Sequence, residues 1–178
     1  MAIRSLGWAN LLTLLRLLLL MPMLYCIAAQ LWVVASLVFV AAVVTDVADG
    51  RVARALGEVS IRGGLFDHSV DALFVAVSLG ACAWSGLTNP VLAPLILLAF
   101  VQYAIDSRAH AGRALRASKL GRYNGIAYYA LLGVVLITRA LGLEWSLVEG
   151  VAGWLLVATT VLSMLDRALA HRIVLDSP

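Results

Sequence analysis

The stretch DVADGRVARALGEVSIRGGLFDHSVD, Asp46 to Asp71, carries four aspartates, at positions 46, 49, 67 and 71, in a chain that is otherwise apolar. Spacings of three and four residues bring each pair onto one face of a helix, Asp46 with Asp49 and Asp67 with Asp71. The stretch therefore reads as the end of one helix, a short connection, and the start of the next. Asp46 follows Trp32 by 14 residues, about 21 Å of helix at 1.5 Å per residue. In a hydrocarbon layer about 30 Å thick, that places it toward one membrane edge.

A membrane setting follows from composition. Of 178 residues, 63% are hydrophobic and 13% charged, against about 25% charged in a soluble domain; mean hydropathy is +0.99. These values exclude an ordinary soluble protein and suit one helical domain spanning 1–178 rather than several. Cys26 and Cys82 stand in apolar runs and read as small buried hydrophobes. The first apolar run shows no small-residue cleavage site and reads as a span, not a signal peptide.

Segments of roughly 20 apolar residues occur at about Trp8–Ala29, Leu31–Leu56, Gly64–Gly86, Pro90–Ala111, Arg122–Leu141 and Trp145–His171. The expected fold is all-α, an integral membrane bundle of six transmembrane helices. Trp8, Trp32, Trp84 and Trp145 fall at predicted ends, where amphipathic rings settle; Trp154 falls mid-span and is expected to pack internally. Arg51, Arg54 and Arg62 surround the second connection, and Arg108, Arg113, Arg116, Lys119 and Arg122 the fourth. The first and third connections carry no Lys or Arg, and the fifth only Arg139 against Glu144 and Glu149. The excess of positive charge in cytoplasmic loops then puts both termini, connections two and four, and the aspartate stretch on the cytoplasmic side of an inner or plasma membrane.

One carboxylate in a span costs on the order of 2.5–3.5 kcal/mol on insertion scales, and four together repel one another. Divalent cations neutralise such a cluster directly; oxygen ligands suit Mg²⁺, Mn²⁺ or Ca²⁺ rather than zinc. The plainer reading is a structural charge network with Arg51, Arg54 and Arg62, but three cations do not balance four aspartates and Glu58. Nor does it account for Gly50 inside a helix, where glycine costs about 1 kcal/mol against Ala. Gly50, Ala53 and Gly63 make a small-residue surface suited to close approach by a ligand or by another helix.

Written out, Asp46-x-x-Asp49-Gly50-x-x-Ala53-Arg54, eight residues, then Gly63-x-x-x-Asp67-x-x-x-Asp71 resembles the full signature of the CDP-alcohol phosphotransferases. The resemblance implies displacement of CMP from a CDP-linked alcohol, such as CDP-diacylglycerol, by an acceptor hydroxyl, with two divalent cations (Mg²⁺ or Mn²⁺) as cofactors. It implies Asp46, Asp49 and Asp67 as metal ligands and Asp71 as ligand and general base. Asp49, Gly50, Ala53, Arg54, Gly63 and Asp67 are implied around the cytidine nucleotide. It also implies a homodimer working among membrane lipids, with no nucleic-acid partner.

The acceptor is to be read elsewhere. Asn10, Thr13 and Arg16 share a face of the first helix, similar to the branch of the family that makes phosphatidylglycerophosphate or inositol-phosphate lipids. Arg108, Arg113, Arg116, Lys119 and Arg122 offer guanidinium and ammonium groups for an acceptor phosphate, or for anionic lipid headgroups. Glycerol 3-phosphate is the leading acceptor; inositol phosphate, phosphatidylglycerol or another alcohol are alternatives. The chain departs from glycerophosphate-using members in carrying Asp106-Ser107-Arg108 where they usually have Arg-Glu before a Ser-x-Leu-Arg segment. His68, His110 and His171 have no sequence partner that points to catalysis. Outside this class, intramembrane carboxylates also mark cation- or proton-coupled transporters. Those are expected to show two related halves, which this sequence lacks.

Overall fold

In the computed structural model, residues 8–55, 61–106 and 119–175 are described, with side chains over 11–48, 51, 63–106 and 119–169. They form six helices and, among the described residues, no strand: α1 Trp8–Ala28, α2 Trp32–Ala55, α3 Ile61–Trp84, α4 Leu92–Asp106, α5 Lys119–Ala140 and α6 Ser146–Leu175. α3 and α5 each begin three residues earlier than their apolar runs suggest, because polar first turns continue the helix before the hydrocarbon core begins. Gly63 thus lies within the first turn of α3 rather than ahead of it.

Four helices are long and apolar enough to cross a membrane, over Leu11–Ala28, Gly63–Trp84, Lys119–Ala140 and Ser146–Leu169. The apolar parts of α2 and α4, Trp32–Ala48 and Leu92–Asp106, are shorter. In α2 the reason is chemical: the run of Asp and Arg residues that begins at Asp46 occupies its last turns.

Helix neighbours close a ring in the order α1, α2, α5, α6, α4, α3 and back to α1, with α3 also touching α5 across the middle. Met23, Ile27, Phe74, Leu79, Leu132 and Leu136 are fully or almost fully buried in the core. Cys26 and Cys82 are buried free thiols there, as their apolar surroundings predict. α2 and α5 approach closely at Gly133, where a Cβ would lie 2.9 Å from Phe39 Cε1. Trp154, by contrast, is 62% exposed. It stands on the outer face of α6, whose inward stripe is taken by Gly153, Leu156 and Thr160, so the expectation of internal packing is corrected.

α1, α3 and α5 end in the same way. Leu31 N bonds to Cys26 O at 2.8 Å, Leu87 N to Cys82 O at 2.9 Å and Leu143 N to Thr138 O at 2.8 Å, the six-to-one closure of a left-handed helix cap. The residue that takes positive φ is Gln30, Gly86 or Gly142; glycine carries no steric cost there. Asn89 opens α4 by accepting the Val91 N–H at 2.8 Å, with Pro90 where a helix start tolerates it. The three tight turns lie at the ends of their helices away from Asp46, Asp67 and Asp71.

Candidate active site

Three of the four motif aspartates converge on one guanidinium. Arg16 of α1 places Nη1 3.0 Å from Asp67 Oδ1 and Nη2 3.0 Å from Asp46 Oδ1, and Nη1 also contacts Asp71 Oδ1. Arg16 is fully buried, whereas Asp46, Asp67 and Asp71 keep 39%, 25% and 22% of their side-chain surface exposed. The charge is therefore held from the protein side while the carboxylates remain reachable from the other. Two hydroxyls join the cluster: Thr13 donates to Asp67 Oδ1 at 3.5 Å and Tyr129 to Asp71 Oδ1 at 3.3 Å. The shared face of Thr13 and Arg16 on α1 is what brings both onto Asp67, as the three-residue spacing predicts.

The exposed side of the cluster opens into a cavity of about 720 Å³ bounded by α2, α3, α4, α5 and α6. Asp46, His68 and Asp71 line it from α2 and α3, and Arg122 and Arg167 from α5 and α6. α1 contributes nothing to its lining among the described residues, so Arg16 backs the carboxylates from outside the cavity. Arg167 stacks over the Tyr103 ring, with its guanidinium carbon 4.8 Å from the ring centroid, a favourable cation–π placement. Tyr128 and Thr160 meet at 2.5 Å and tie α5 to α6 beside the cavity. The buried Asn124 amide lines the same space beside Tyr128.

The donor set fits hard divalent cations. Asp67, His68 and Asp71 each offer a ligand atom, and these atoms lie within 4.8 Å of one another. Asp46 is joined to the same group through Arg16.

The other expected residues fall as follows. Asp49, Gly50, Ala53 and Arg54 lie on the last turns of α2, but their side chains are outside the described residues. Arg108, Arg113 and Arg116 lie outside the described residues altogether. Lys119 opens α5 and is exposed, away from the cavity lining, while Arg122 belongs to it. His68, Tyr103, Asn124, Tyr129 and Arg167 are cavity residues that the sequence reading left out of the site. The signal for Arg167 is a polar stripe: Thr160, Ser163 and Arg167 recur at three and four along an apolar helix.

The CDP-alcohol phosphatidyltransferase family matches residues 6–165. The chain belongs to that family, whose members are transferases of phospholipid synthesis and use divalent cations. Neither the curated proteins nor the solved structures yield a significant match.

Proposed function

We propose that the protein transfers a phosphatidyl group from CDP-diacylglycerol, or a related CDP-lipid, to a hydroxyl of an alcohol that itself carries a phosphate, releasing CMP. Glycerol 3-phosphate is the best candidate acceptor. The observation that carries the reading is one cavity lined both by carboxylates, from α2 and α3, and by Arg122 and Arg167, from α5 and α6. An acceptor with a hydroxyl at one end and a phosphate at the other matches both, since guanidinium groups bind phosphate oxygens bidentately.

In this reading Asp46, Asp49, Asp67 and Asp71 hold two divalent cations, Mg²⁺ or Mn²⁺. Such ions, when bound, neutralise charge on the pyrophosphate and so assist departure of CMP. Asp71 accepts the proton of the acceptor hydroxyl as the new P–O bond forms and the bond to CMP breaks. Arg16 and Tyr129 fix Asp71 through Oδ1. Gly50, Ala53, Arg54 and Gly63 surround the cytidine end. The aspartate end faces the cytoplasm, with both chain termini, in a multi-pass domain spanning 1–178 of the inner or plasma membrane. The protein works there as a homodimer with the lipid tails in the bilayer. Inositol phosphate satisfies the same two-ended chemistry and is the alternative acceptor.

The test is CMP release by purified protein given CDP-diacylglycerol, Mg²⁺ or Mn²⁺, and a panel of alcohols with and without a phosphate. Release with phosphorylated acceptors and not with their dephosphorylated forms is the expected result. No release with any acceptor, or release unchanged in Asp71→Asn, overturns the reading.

A further inference from the structure

We propose that His68 is a ligand of the cation held by the aspartates and that it biases the site toward a first-row transition ion such as Mn²⁺ over Mg²⁺. The inference rests on the metal-dependent reading above. Asp67 divides its two oxygens: Oδ1 faces Arg16 and Thr13, while Oδ2 lies 3.8 Å from His68 Nδ1. That separation exceeds a hydrogen bond. Two donors each about 2.1 Å from one ion stand roughly 3.0–3.5 Å apart, so a small rotation of the imidazole completes the pair. Asp71, three residues on, shares the helix face of His68 and brings its own ligand atom within the same 4.8 Å. Arg16 approaches the carboxylates from α1, so an ion must enter from the cavity, and His68 lines that side with Asp46 and Asp71. The imidazole is half exposed and is flanked by the Tyr103 ring at 6.4 Å, which limits its swing without removing it from the site. Imidazole nitrogen suits Mn²⁺ and later first-row ions, while Mg²⁺ prefers an all-oxygen shell.

The experiment uses the full-length protein in detergent with Mn²⁺ alone as the probe, followed by electron paramagnetic resonance. Mg²⁺ affinity comes from competition. The wild type is expected to show ¹⁴N coupling from one imidazole. His68→Ala and His68→Asn are expected to lose that coupling and about tenfold in Mn²⁺ affinity, with Mg²⁺ affinity changed less than about threefold. Absence of ¹⁴N coupling in the wild type, or equal losses for both ions, overturns the role of His68. If Asp71→Asn still abolishes Mn²⁺ binding in that case, the metal-dependent reading stands without it. Mn²⁺ binding unaffected by both Asp67→Asn and Asp71→Asn overturns both.

Discussion

Arg16 Nη2 lies 3.0 Å from Asp46 Oδ1, pairing a wholly buried cation on α1 with a partly exposed carboxylate on α2. Through Asp67 and Asp71 the same guanidinium also holds α3. One side chain thus ties three helices at the point where the carboxylates crowd together. Breaking such a buried group by deleting one partner costs about 3–5 kcal/mol, because the opposite charges are left uncompensated.

Arg16→Met is therefore expected to lower the thermal midpoint in detergent markedly and to cut CMP release by at least about 100-fold. Arg16→Lys is expected to recover part of the stability, since it restores charge without the planar fork. Mg²⁺ or Mn²⁺ should raise the midpoint of Arg16→Met more than that of the wild type, because cations bound only by the folded state stabilise it. A midpoint of Arg16→Met equal to wild type in chelator would contradict the role given to this residue.

Removal of divalent ions with EDTA is expected to abolish CMP release, with recovery on adding Mg²⁺ or Mn²⁺. Asp71→Asn is expected to reduce turnover by about 10²–10⁴-fold, the range for loss of a general base. Activity persisting in full chelator would remove the cations from the reaction.

Arg122→Ala and Arg167→Ala should each raise the KM for a phosphorylated acceptor by about 10-fold or more, with a smaller change in the KM for CDP-lipid. Arg167→Lys should recover little, because an ammonium lacks both the bidentate fork and the guanidinium plane that stacks on Tyr103. Steady-state kinetics with each substrate varied in turn decide this; equal changes in both KM values would count against a separate acceptor end.

At the opposite end of the bundle, Arg139 Nη2 meets Glu149 Oε2 at 2.8 Å, and Thr138 donates to Glu149 Oε1 at 2.8 Å. Glu149 is buried, and its removal leaves Arg139 with the Leu143 carbonyl but no carboxylate. Glu149→Ala is expected to cost about 3–5 kcal/mol of stability, while either acceptor KM stays within about twofold because the pair lies far from the cavity. Thermal melts paired with kinetics test both halves of that statement.

The aspartate pairs are legible because a helix repeats every three to four residues, which sets Asp46 with Asp49 and Asp67 with Asp71 on shared faces. The pairing of Arg16 with them is not. The sequence reading grouped Arg16 with the acceptor residues, yet its partners Asp67 and Asp71 lie 51 and 55 positions away, a distance that only helix packing resolves. Arg167 is absent from the sequence-based site, because loop charge is visible in sequence and a cavity is not. His68 has no sequence partner that points to catalysis, and its neighbour Asp67 is adjacent in sequence, where residues do not face one another on a helix. Only the cavity and the turn of Asp67 Oδ2 bring their donor atoms near.

Gly133 links packing to the site in one further way. A Cβ there would sit 2.9 Å from Phe39, whose ring centroid lies 6.2 Å from that of Tyr129, and Tyr129 reaches Asp71. Gly133→Leu is expected to displace Phe39, costing about 1–3 kcal/mol of stability, and to lower turnover. Gly133→Ala should do less of each. Wild-type turnover in Gly133→Leu would show that the contact stops at Phe39.

The α5–α6 hairpin is pinned near its turn by Arg139 and Glu149 and braced again by Tyr128 and Thr160. Arg122 and Arg167 stand six and seven residues beyond that brace, lever arms of about 9–10.5 Å at 1.5 Å per residue. Ten degrees of opening at the brace moves each arginine by about 1.6–1.8 Å on those arms. The hairpin thus has the mechanics of tweezers with a fixed heel, in which a small angle near mid-membrane becomes a span the width of one heavy atom at the tips.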